Sequence, residues 1–120
     1  MTPFARILRE AVEGTPGAVG GAFAAHDGEM VDAFTARDPD DWATLTAHYG
    51  VVLASLEAAF NTLHVGGPQY FVVEHTKYDV LVQPVADGYF ALIALARPAS
   101  ISAGLRALDE AARRLAREMS

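Results

Sequence analysis

Between Trp42 and His64 the chain carries one formal charge, Glu57. Just upstream stand Asp38 and Pro39, an N-cap acceptor followed by a proline suited to the first helical position. Asp40 and Asp41 then lie in the first turn, where the helix dipole favours negative charge. The pattern predicts one helix from Pro39 to about His64, roughly 39 Å long at ~1.5 Å per residue. A surface helix needs a polar face, and this one has almost none. Whatever fold the chain adopts must cover most of this helix.

At ~100° per residue, one side of the helix collects Trp42, Leu45, Tyr49, Val52, Leu53, Leu56, Phe60 and Leu63, which predicts the core stripe. The opposite side holds Ala43, Ala47, Gly50, Val51, Ala54, Ala58 and Asn61, small residues that would let another chain approach closely. A membrane span is the rival reading on length alone. His48, Ser55, Glu57, Asn61, three threonines and the strand-rich surroundings oppose it. The bland reading is an exposed helix rich in alanine, the best helix former. Gly50 and Val51 count against that, because propensity would not choose them.

The flanking segments are short. Thr2 and Pro3 start a first helix through Phe4, Ile7, Leu8, Ala11 and Val12, and Gly14 stands where a left-handed C-cap would end it. A hairpin follows, with strands at about 18–25 and 29–35 joined by Asp27-Gly28, a pair that favours a type I′ turn. Beyond Gly66-Gly67-Pro68 come QYFVVEH, KYDVLVQPV and YFALIALA. A turn near Thr76 separates the first two, and Asp87-Gly88 the second and third. The last is apolar on both faces and therefore central. Pro98, Ser100 and Ser102 then open a final helix with Asp109-Arg113 and Glu110-Arg114 at i,i+4. All strand connections but the long helix are hairpins, so the expected fold is α+β, a mainly antiparallel sheet with helices on both faces.

The 120 residues make one domain, 1–120. A net charge of −6 argues against nucleic acid, whose binding needs a lysine and arginine surplus. A hydrophobic share of 52% against 20% charged is high for a monomer, which suggests apolar surface shared between chains. Cysteine is absent, so no thiol nucleophile or disulfide framework is expected. The charged N-terminal stretch does not read as a signal peptide. A cytoplasmic location is the expectation.

The stretch Thr15-Pro16-Gly17-Ala18-Val19-Gly20-Gly21-Ala22, then Asp27-Gly28, the strands around Phe71–Val73 and Tyr78–Pro84, and Asp87-Gly88-Tyr89 resemble, in that order, the Roadblock (dynein light-chain) family. The resemblance spans nearly the whole chain. It implies a five-stranded antiparallel sheet, order α-β-β-α-β-β-β-α, with the long helix on one face and the terminal helices on the other, a profilin-like arrangement. It implies a homodimer joined through the long helices and the edge strand after them. Bacterial, MglB-like members of that family bind a small Ras-like GTPase, so the implied function is a non-enzymatic regulatory platform. The candidate interface is then Ala43, Ala47, Gly50, Val51, Ala54, Ala58 and Asn61 of the helix, with Tyr70, Val72 and Glu74 of the strand.

Little in the sequence points to chemistry. His26, His48, His64 and His75 are never four apart, as a helical metal pair requires. Asp38, Asp40 and Asp41 are accounted for by N-cap chemistry. Gly20-Gly21 lacks both GxGxxG and a P-loop lysine, so close approach of a helix backbone is expected there. Ser55 sits in mid-helix with no nucleophile elbow around it. No catalytic residue, cofactor or metal site is expected. The alternative function is a small-molecule sensor of profilin, longin or PAS type, with a ligand between helix and sheet. The bulky helix stripe would close that space.

Overall fold

The computed structural model describes residues 1–120 as α1 (Pro3–Glu13), β1 (Ala18–Ala25), β2 (Met30–Thr35), α2 (Pro39–Leu63), β3 (Phe71–Glu74), β4 (Tyr78–Pro84), β5 (Tyr89–Ala96) and α3 (Ile101–Met119). The strands form one antiparallel sheet in the order β2-β1-β5-β4-β3. The fully apolar β5 is its centre, as its two-sided hydrophobicity predicts, and β2 and β3 are its edges.

Each face of the sheet has its own core. On one, Ile7, Leu8 and Val12 of α1 and Leu108, Ala111 and Leu115 of α3 pack on Phe23, Leu81, Ile93 and Leu95. On the other, Trp42, Tyr49 and Leu53 of α2 pack on Ala22, Val80, Val82, Phe90 and Leu92. The alternation along β4 and β5 feeds both cores, because successive side chains leave opposite faces.

Capping follows the sequence closely. Thr2 accepts from the Ala5 amide, Asp38 from Asp40 and Ser100 from Ala103. The ends of helices are less regular. Gly14 closes α1 in right-handed geometry, not left-handed, whereas His64 closes α2 with φ at 57°. The type I′ turn falls at Asp87-Gly88, where both φ values are positive, and not at Asp27-Gly28, where only Gly28 is. In the first hairpin the Gly28 amide bonds the Ala25 carbonyl and the ladder shifts register at Phe23/Ala24. That is a longer loop ending in a glycine bulge.

Two further expectations change. Gly20 and Gly21 admit side chains rather than a helix backbone: a Cβ would lie 2.9 Å from the Trp42 ring at Gly20 and 3.3 Å from Val12 at Gly21. Asp109 pairs with Arg113 as expected, but Arg114 turns away from Glu110 to reach Glu10 of α1. That contact ties the terminal helices together. Asp79, buried at 3% exposure, is held by Arg97 at 2.8 Å, and the same guanidinium reaches Glu74 at 3.1 Å.

Candidate interaction site on α2 and β3

The side of α2 that meets the sheet is set by Trp42, Thr46, Tyr49, Gly50 and Leu53, all buried. This stripe is rotated by about 50°, half of the ~100° step per residue, from the one that large side chains alone define. The offset has a physical cause. Thr46 is fully buried, its hydroxyl satisfied by the Trp42 carbonyl at 2.9 Å, and Gly50 lets the β1–β2 loop come close. Neither residue type advertises itself as core. Val52 and Leu63, expected inside, are instead 38% and 66% exposed, and Leu56 and Phe60 are half-buried.

The two flanks of α2 therefore differ. One meets the first hairpin, with Gly50 against Gly28 and Ala47 beside it. The other faces β3 and β4: Tyr49 stacks on Phe71, with centroids 6.3 Å apart, and its hydroxyl bonds His75. Burial raises the Tyr49 phenol above its ordinary pKa. Helical spacing puts Val52, Leu56 and Leu63 on the same side as Leu45, which shares a cavity with His75 and Tyr78. The β3 flank thus carries large apolar side chains, of which Val52 and Leu63 are exposed and Leu45 and Leu56 are half-buried.

The candidate interface residues divide accordingly. Ala43, Val51, Ala54, Ala58 and Asn61 are exposed, and Val51 reaches 66% exposure. Ala47 is half-buried against Gly28, and Gly50 does not face outward at all, being buried on the same loop. Tyr70, just before β3, and Glu74 on it are exposed, while Val72 is half-buried on the α1/α3 side of the sheet. Val52 and Leu63, expected in the core, are surface residues, as is the neighbouring Val65. The buried threonine and glycine at positions 46 and 50 were the available signal.

Backbone parity completes the picture. The His75 amide donates to the Tyr78 carbonyl at 2.7 Å, which makes this a hydrogen-bonded pair of the β3–β4 ladder. Phe71 and Val73 share its parity, so the N–H and C=O groups of Val72 and Glu74 point away from the sheet. Such an edge is a template for another strand. No group of three or more His, Cys, Asp or Glu side chains lies together to hold a metal, and no helix is long and apolar enough to cross a membrane.

A single antiparallel sheet with one long helix on one face and two terminal helices on the other is the profilin-like, Roadblock architecture. The comparison with solved structures bears this out. The chain superimposes on a Roadblock/LC7 domain from Streptomyces avermitilis with a TM-score of 0.88, at 15% identity over 95% of each chain. The gliding protein MglB from Thermus thermophilus gives 0.87 at 18% identity, covering 98% of this chain and 90% of that one. A structure of MglB in a tetrameric arrangement gives 0.85 at 20%, with the same coverage. The fold is that of Roadblock/LC7 domains. No protein-family model matches the chain, and no curated relative matches it by sequence.

Proposed function

We propose that this protein is a non-enzymatic, homodimeric regulatory or scaffold module that presents a docking surface to a small Ras-like GTPase. The observation that carries the reading is the open edge of β3 beside the uncovered apolar flank of α2. Leu63, Val65 and Tyr70, all more than half exposed, lie where α2 leads into β3, and Val52 extends the same flank along the helix. Apolar surface of this kind on a small domain marks an interaction site. A second copy related by a two-fold axis covers edge with edge and flank with flank, since an isologous interface uses one patch twice. The tetrameric arrangement of an MglB structure supports self-association in this fold.

In such a dimer the outer face of each α2, with Val51, Ala54 and Ala58, remains free and is presented twice across the axis. The GTPase reading rests on the Roadblock resemblance, and the face suits it by being flat, small-chained and nearly uncharged. A partner could be regulated there by ordering of its switch loops, without a residue lent to catalysis.

Light scattering at micromolar concentration should give twice the chain mass. The immobilised protein should retain a Ras-like GTPase from its own cell in a nucleotide-dependent manner. Val51→Arg should leave the dimer intact and abolish that retention. A monomer mass for the wild type removes the dimer. Retention of no such GTPase, in either nucleotide state, removes the docking role.

A further inference from the structure

The bulky side chains of α2 do not close all the space above the sheet. A cavity of about 180 Å³ lies at the start of the helix, bounded on the other side by the β3–β4 turn. Its floor is apolar and drawn from separate elements: Val19 of β1, Trp42 and Leu45 of α2, Val80 of β4 and Ala94 of β5. Trp42 is fixed there by its indole N–H, which donates to the Gly21 carbonyl at 3.1 Å.

The rim carries opposite charges, Arg37 and Asp41. These two do not pair with each other or with any other charged side chain. Arg37 lies over the Tyr78 ring, 4.8 Å from its centroid, and donates to the Tyr78 hydroxyl. One donor is used and the guanidinium is held in place, which leaves the rest of its fork for a carboxylate. Asp41 lies in the first turn of α2, at the positive end of the helix dipole, with its carboxylate still free to accept. Asp38 alone caps α2, and the Asp41 carboxylate has no hydrogen-bond donor.

Size and charge together select a ligand. The volume is below the roughly 300–1,000 Å³ of sites for drug-sized molecules. At ~30 Å³ per water it holds about six, space for a short branched side chain but not for a nucleotide or flavin. An alkyl carboxylate would meet Arg37 but place its charge near Asp41. An alkylamine would do the reverse. A molecule bearing both a carboxylate and an ammonium above an apolar tail satisfies both rim charges.

We propose that the cavity binds a free branched aliphatic α-amino acid, with its side chain on the floor, its carboxylate on Arg37 and its ammonium on Asp41. The inference is independent of GTPase docking, because Val51 and its neighbours take no part in the cavity. Titration calorimetry with L-leucine, 4-methylpentanoate and 3-methylbutylamine tests it on the wild type and on Arg37→Gln and Asp41→Asn. Both substitutions are at exposed positions, and thermal melts verify that each variant is folded. Leucine should bind saturably in the millimolar range or tighter, and each substitution should weaken it by about tenfold or more. Each analogue should bind about tenfold more weakly than leucine, and Val51→Arg should bind leucine as the wild type does. The site is overturned if leucine, isoleucine and valine all fail to saturate by about 10 mM. It is equally overturned if both charge variants bind leucine unchanged, or if either analogue matches it.

Discussion

Gly28, in the first hairpin loop, and Gly50, in the middle of α2, meet backbone to backbone. A Cβ on Gly50 would lie 3.3 Å from the Gly28 Cα, and one on Gly28 would lie 3.1 Å from the Ala47 Cα. This contact sets how α2 is rotated about its axis, and so which flank of the helix is left uncovered. Alanine at position 50 gains about 1 kcal/mol of helix propensity and loses a comparable amount to the tight contact, so it should be near neutral. Gly50→Val adds methyl groups that have no room, and should lower stability by about 1–3 kcal/mol. A denaturant titration with an unchanged slope and a lower midpoint would show this. An unchanged midpoint for the valine variant would mean that the loop is free to move away.

Adjacent residues of α2 should respond in opposite ways to the same charge. Leu53 is 2% exposed and Val52 is 38% exposed. Leu53→Asp buries an unpaired carboxylate and should cost several kcal/mol, enough to unfold a small domain. Val52→Asp should melt cooperatively near the wild-type temperature but lose the dimer, as size-exclusion chromatography with light scattering would report. If Val52→Asp stays dimeric, the second copy does not sit on this flank.

The sequence carried the architecture well because each element is announced by local chemistry. Thr2-Pro3, Asp38-Pro39 and Ser100 mark helix starts, and the unbroken apolar run of β5 marks a strand covered on both faces. What it carried poorly was the rotation of α2, the property that decides the site. Side-chain size is a sound guide to burial for Trp42, Tyr49 and Leu53. It misleads at Thr46, whose hydroxyl is satisfied inside its own helix, and at Gly50, whose burial depends on a loop brought in from the first hairpin. The cavity at Arg37 and Asp41 was hidden for a similar reason. The two rim charges flank the helix start, but the floor beneath them joins α2 to three strands that only the folded sheet assembles.

Alkaline pH should weaken the fold through Tyr49. Burial raises its phenol above the ordinary value of 10.0. The unfolded chain then ionises first as pH rises, so the stability tied to the neutral phenol is complete below about pH 10. It declines as pH climbs from there through the folded-state value. Tyr49→Phe removes this contribution along with the hydroxyl bond to His75. The variant should therefore be less stable at neutral pH but lose less stability above pH 10. Denaturant midpoints measured across that range would check it, and parallel declines for the two proteins would show that Tyr49 is not the group involved.

The register of the proposed dimer follows from the open edge of β3. Its outward-facing backbone groups belong to Val72 and Glu74, and Tyr70 extends the same parity. Antiparallel self-pairing about a two-fold axis must match these residues with one another. Placing the axis at Val72 pairs Val72 with its own copy and Tyr70 with Glu74, and uses all of the free groups. Shifting the axis by one residue leaves some of them unpaired. Residues opposed in a hydrogen-bonded pair have Cα atoms about 5.5 Å apart, within the range that a disulfide spans. The chain has no cysteine, so each single substitution carries one thiol. Cysteine placed in turn at 70, 71, 72, 73 and 74 should show oxidative cross-linking that peaks at Val72→Cys and falls away on both sides. A peak at 71 or 73 would move the axis by one residue. Equal, slow cross-linking at all five positions would mean that β3 does not pair with its copy, and the joined sheet would have to be abandoned.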